Sequence, residues 1–169
     1  MTEIQNYIER FIASASTKDI RPDSILIDVF GDSPDLTDQL LELVLAGTKT
    51  ATCLSLYEWE HEVKTPLVPG TLSVILNGLG QPRCVIETTH VEQMPYQEVT
   101  AEFARAEGEH EPPDLPDDRV LQHWRDVHWA YFNRKLPPLG HIPTLDMPVL
   151  CERFRVIYTD HASHETHNE

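Results

Sequence analysis

Apolar residues at Ile4, Tyr7, Ile8, Phe11 and Ile12 fall three and four apart, so the chain opens on an amphipathic helix. Polar residues from Ser14 to Ser24 make a connector, and Ile25 to Phe30 reads as a short strand. Ser33 is a helix cap, Pro34 suits the first helical position, and Asp35 and Asp38 complement the dipole. Leu36, Leu40, Val44 and Leu45 line that helix, and Gly47 supplies a left-handed exit. From Thr48 the period becomes strand-like, through Thr50 to Leu56. Pro69-Gly70 turns into a strand over Thr71 to Leu76, and Asn77-Gly78 opens a loop before a strand from Arg83 to Val91. A helix is expected over Val99 to Ala106. The stretch Glu107 to Asp118, with six acidic residues and three prolines, reads as an exposed loop. Val120, Leu121, Trp124, Val127, His128, Tyr131 and Phe132 share one face of a long helix. Prolines from Pro137 to Pro148 mark another loop, Val149 to Tyr158 forms the last strand, and a polar tail follows from Asp160.

Strands dominating the middle and end, with helices between them, predict an α+β fold built on a small mixed β-barrel. The expected division is an N-terminal helix and connector over 1–24, one domain over 25–159, and a tail over 160–169. A length of 169 residues with 40% apolar content suits a single core that needs neither disulfide nor structural metal. The three cysteines, Cys53, Cys84 and Cys151, are far apart, which predicts buried reduced thiols in a cytoplasmic protein. No apolar run is long enough to span a membrane, and the first residues lack a signal-peptide core. A formal charge of −15 argues against coating extended duplex DNA or RNA, because such binding releases counterions to a basic surface. It leaves room for a pocket that holds one nucleotide. Nothing in the pattern sets an oligomeric state.

The densest candidate chemistry is Ala46-Gly47-Thr48-Lys49-Thr50-Ala51-Thr52. Lys49, between a helix exit and a strand, can hold a phosphate or carbonyl oxygen, or act as a base once desolvated. Thr52 offers a hydroxyl for attack on a carbonyl or for a backbone hydrogen bond. The glycine spacing is not that of a Walker phosphate loop. Ser55 and Tyr57, placed on the continuation of the lysine strand, are candidate ligand contacts, and Tyr57 with Trp59 can stack a base. Glu87 alternates with Arg83, Val85 and Thr89; a carboxylate inside a barrel needs a partner, which would set it beside Lys49 as a salt bridge or a catalytic group. Arg125 and His128 sit where the long helix could reach a ligand. His161, His164 and His167 recur every three residues in the tail, without the flanking ligands of a defined metal site.

The run Phe30-Gly31-Asp32-Ser33, the helix Leu36 to Ala46, and Gly47-Thr48-Lys49-Thr50-Ala51-Thr52 resemble an ASCH-domain protein. So do Cys84-Val85-Ile86-Glu87-Thr88-Thr89 and Val149-Leu150-Cys151-Glu152-Arg153-Phe154, in the same order along Asp28 to Tyr158. The resemblance implies a barrel related to the PUA fold, a cleft near the lysine motif, and RNA or a modified nucleoside as partner. In that family a smaller bacterial type hydrolyses N4-acetylcytidine with a lysine, a threonine and a glutamate, and a longer type is linked to ribonuclease activity. The first two carry over to Lys49 and Thr52. The glutamate carries over to Glu109, through the matching Ala106-Glu107-Gly108-Glu109. The chain departs from the smaller type in its length and in having Cys53-Leu54 after the threonine. The resemblance implies no cofactor and leaves a divalent-cation dependence open. A non-catalytic RNA or nucleotide sensor and a protein-interaction domain using helix 119–134 are the competing readings.

Overall fold

Five strands make one sheet in the order β1-β3-β4-β5-β2, over Leu26–Asp28, Leu72–Leu76, Pro82–Pro95, Pro148–Thr159 and Ala51–Ser55 respectively. The computed structural model describes residues 1–16, 19–63, 65–110 and 112–160. The tail histidines His161, His164 and His167 therefore lie outside the described residues. β1 runs parallel to β3 and every other pairing is antiparallel, which makes the sheet mixed as expected. It curls into a half-barrel; among the described residues its edge strands β1 and β2 do not pair, so the barrel stays open on that side.

Four helices cover the sheet for reasons visible in their residues. α1 (Glu3–Ser14) begins in a capping box, with Thr2 and Gln5 satisfying each other's backbone N–H groups. Its Tyr7, Ile8 and Phe11 pack with Ile25, Val74, Leu76 and Val85. α2 (Pro34–Leu45) starts at the Ser33 cap and sets Leu40, Leu41 and Val44 against Phe30, Ile75, Cys84, Ile86 and Phe154, on the opposite face of β3 and β4. α4 (Ala101–Glu107) and α5 (Asp117–Lys135) enclose the third cluster, in which Phe103, Val120, Trp124 and Phe132 meet Ala51, Cys53, Val149 and Cys151. All three cysteines are free and buried. Trp124 is thus core, while Val127, expected on the core face, is exposed.

The first strand shortens to Leu26–Asp28, and two further differences bear on the site. The lysine strand ends at Ser55 and gives way to a short helix, α3 (Leu56–Glu62), so Tyr57 does not continue the strand. The cause lies in the partner strand: Ser55 pairs with Val149, and β5 begins at Pro148, which has no N–H to extend the ladder. β4 also runs past Val91 to Pro95, because its polar end keeps pairing with β5 as far as Pro148.

Candidate functional site

Lys49 is placed by backbone closure on two sides. Two residues past the end of α2, Gly47 turns the chain at a φ of +77°, and the N–H groups of Thr48 and Lys49 both donate to the Leu43 carbonyl. One residue on, the Thr50 N–H donates to the Ala106 carbonyl at 2.9 Å. This last bond ties the lysine segment to the end of α4, where Gly108 turns at φ +69° against the Thr48 carbonyl. The two short motifs therefore lie backbone to backbone, and their side chains meet.

Lys49 Nζ donates to Glu109 Oε1 at 2.8 Å and to Glu107 Oε2 at 3.3 Å. Glu107 also accepts from Trp124 Nε1 at 3.1 Å and faces His128 Nε2 at 3.3 Å, while the Nδ1 of that imidazole donates to the Trp124 carbonyl at 2.9 Å. The result is a chain of alternating charge, Glu109–Lys49–Glu107–His128. Its two central side chains are each 1% exposed, and Glu109, at 23%, is the member that reaches solvent. Burial pulls Lys49 towards neutrality, but the two carboxylates outweigh it and hold the ammonium charged. Burial likewise opposes ionisation of Glu107, and Lys49 and His128 overcome it, so its carboxyl lies well below the usual range. His128 is held above its ordinary value, since the charge of Glu107 exceeds the penalty of burial. A charged, enclosed Lys49 suits oxyanion stabilisation rather than the role of base, and it does not itself line an open cleft.

The other predicted residues are dispersed around this centre. Thr52 lies on β2 directly opposite Glu152 of β5, with no hydrogen bond to Lys49 among the described residues. Ser55 is buried on the Ala51 and Cys53 side of β2, and its hydroxyl has no partner among the described residues. Tyr57 stacks on His141, with ring centroids 4.0 Å apart. Trp59 donates to the Thr65 carbonyl at 3.0 Å. Glu87 is not beside Lys49: it pairs across the ladder with Arg155, at 3.3 Å, because its strand position faces that residue. Arg125 reaches the Gln97 carbonyl and lines a separate groove with Tyr96, Glu98 and Leu145. Among the described residues, no three or more His, Cys, Asp or Glu side chains are arranged to hold a metal ion, and no helix is long and apolar enough to cross a membrane.

Glu152 and Asp28 were not singled out as site residues, yet both are perturbed. Burial pushes Glu152 up to about 7, with the Asp28 charge adding to it and the Thr88 hydroxyl opposing. Burial also pushes Asp28 up to about 6, against the Val29 N–H and with help from Glu62 and Glu58 on α3. The sequence signal for Glu152 was available: it stands between Leu150 and Phe154 on an inward row that is otherwise apolar. A carboxyl raised in the folded state contributes stability below its unfolded value and loses it as pH rises through about 7. Relative to wild type, Glu152→Gln should therefore gain about 3 kcal/mol between roughly pH 4.5 and pH 8, followed by urea unfolding. A constant difference across that range would remove the assigned cause.

A mixed half-barrel with helices on both faces, carrying a lysine at the α2–β2 junction, defines a PUA-like α+β protein. The ASCH-domain family model matches residues 26–158, and the chain belongs to that family. It is similar to the crystal structure of an ASCH domain from Lactobacillus crispatus JV V101, with 28% identity and a TM-score of 0.78 over 94% of this chain and 96% of that one. A crystal structure of a protein from Enterococcus faecalis V583 matches at 30% identity and a TM-score of 0.78, covering 99% and 98% of the two chains. No curated protein matches the chain.

Proposed function

We propose that this ASCH-domain chain is a hydrolase directed at RNA or modified nucleosides, with acylated cytidine as its best-suited substrate, acting in the cytoplasm without a resident cofactor. The observation that carries this reading is the 2.8 Å contact of Lys49 with Glu109, residues far apart in sequence that the family resemblance paired. Glu109 keeps one side open to solvent, where a ligand can meet it. The net charge of −15 supports a small ligand over a long polyanion.

In this mechanism Glu109 turns outward to admit the substrate, which uncovers the Lys49 ammonium. The Thr52 hydroxyl attacks the acetyl carbonyl, Glu109 takes its proton, and Lys49 stabilises the oxyanion. Glu109 then returns the proton to the departing exocyclic nitrogen, and water hydrolyses the resulting threonyl ester to release acetate. Lysine as the base gives way here to lysine as the charge stabiliser, since both carboxylates keep it protonated. Compensation of Lys49 by Glu107 and Glu109 also favours a second reading, a non-catalytic sensor that binds the same ligands.

The test assays N4-acetylcytidine and a labelled single-stranded RNA, with and without Mg²⁺ or Mn²⁺. Wild type should release acetate, and Glu109→Gln and Thr52→Val, which spare the buried ion pair, should each lower turnover about 100-fold or more. Binding without turnover by folded wild type would shift the assignment to the sensor, and a steep fall of RNA affinity with salt would mark a polyanion ligand. Neither binding nor turnover sinks both readings.

A further inference from the structure

Leu150, Glu152 and Phe154 alternate onto one face of β5, the face that α2 covers through Phe154. The outer two are what a buried row calls for, but a carboxyl between them is costly unless it is satisfied. Glu152 is 5% exposed and forms no ion pair among the described residues. Lys49, the cation whose charge acts on it, is committed to Glu107 and Glu109. Its single hydrogen bond comes from the Thr88 hydroxyl to Oε1, at 2.5 Å. Oε2 has no hydrogen-bond partner among the described residues.

The local backbone is shaped to present this group. Thr88 pairs with Phe154 and His90 with Arg153, so Thr89 is the extra residue of a bulge. Bulges re-aim side chains, and here the buried Thr88 is brought onto Glu152. Across the sheet Thr52, a half-buried residue, stands opposite Glu152. α3 runs from the end of β2 to where Glu58 and Glu62 act on Asp28 of β1, and it contributes no buried side chain of its own. The groups on this face of the site are thus two carboxyls and two hydroxyls beneath a half-buried helix, with no free cation to receive phosphate among the described residues.

We propose that Glu152, held by Thr88, reads the ring edge of a 4-aminopyrimidine nucleoside, its Oε2–H donating to the ring nitrogen and Oε1 accepting from the exocyclic N–H. Oε1 has a second lone pair left after Thr88, and Oε2 has no hydrogen-bond partner among the described residues, so both bonds are available at once. The pairing needs the carboxyl in its neutral form, which burial favours near neutral pH. Asp28 on β1 and Lys49 ahead of β2 are the charged groups that act on it, Glu58 and Glu62 on α3 act on Asp28 in turn, and β4 contributes the Thr88 hydroxyl. This assignment rests on the nucleoside reading of the site and names the residue that would give it base selectivity.

The test is calorimetric binding of cytidine and N4-acetylcytidine by the full chain, from about pH 6 to about pH 8.5, a range in which the cytosine ring does not titrate. Wild-type affinity should fall roughly tenfold or more across that range as the carboxyl ionises. Glu152→Gln offers the same donor and acceptor without titrating, so it should bind at both ends with a flat profile. Glu152→Leu should lose binding roughly tenfold or more at the lower pH while its thermal melt stays at or above wild type, since it replaces a buried polar group that has one hydrogen bond with apolar volume. A flat wild-type profile, or a leucine variant that binds as wild type does, overturns the proposal. Absence of any nucleoside binding overturns it together with the nucleoside reading. Intact pH-dependent binding without turnover upholds Glu152 and sinks only the hydrolase.

Discussion

Lys49→Met should cost about 3–5 kcal/mol of stability, because removing one partner of a buried ion pair strands the other. The stranded group is Glu107, at 1% exposure, left with His128 and Trp124. Methionine keeps most of the volume, so packing loss adds little, and the effect measures charge. Adding Glu107→Gln to Lys49→Met should recover most of the loss, giving a coupling energy of about 2 kcal/mol or more in a urea-unfolding double-mutant cycle. If Lys49→Met alone costs under about 1 kcal/mol, the buried network is not holding α4 to the lysine segment. The same logic dictates how activity assays must be read. A dead Lys49 variant reports on folding as much as on chemistry, whereas Glu109→Gln acts at the solvent end of the network.

That network also shows why only part of the site was legible in the chain. The helix start at Ser33, the apolar stripe of the first helix from Ile4 to Ile12 and the strand periods were local patterns, and the elements they predict are present. The Lys49–Glu109 meeting came through likeness of motifs, since no spacing rule links residues that far apart. Glu107 was hidden by its company: one more acid in an acidic run, when in fact it ends α4 and turns inward. His128 shared a helical stripe with Trp124, and only the placement of α4 against α5 turned it into a charge partner. The start of α3, Leu56 and Tyr57, was read as strand because it continues an alternation that β5 cannot match beyond Pro148. Glu87 was read inward when its pairing with Arg155 holds it elsewhere; the inward carboxyl was Glu152, visible as the charged interruption of Leu150 and Phe154. Periodicity locates faces, but which face meets which charge is a tertiary fact.

Gly108→Ala should cost about 3 kcal/mol, combining a left-handed backbone penalty of roughly 1–2 kcal/mol with a steric clash. A Cβ there would lie 2.5 Å from the Thr48 carbonyl oxygen, which is backbone and cannot rotate away. Relief requires moving the Glu107–Glu109 turn off the Thr48–Thr50 segment, and the Thr50 to Ala106 hydrogen bond goes with it. Gly47→Ala is the matched control. Its φ of +77° imposes the same backbone penalty, while a Cβ there meets nothing within 4 Å, so it should cost only about 1 kcal/mol. The difference between the two variants in urea unfolding isolates the contact between the two motifs. Because that contact sets the separation of Lys49 and Glu109, Gly108→Ala should also impair nucleoside turnover in whatever fraction stays folded, and Gly47→Ala should impair it less. Equal costs for the two glycines would mean that the turn is held by its own conformation alone, and that the close approach of Ala106–Glu109 to the lysine segment is not what assembles the site.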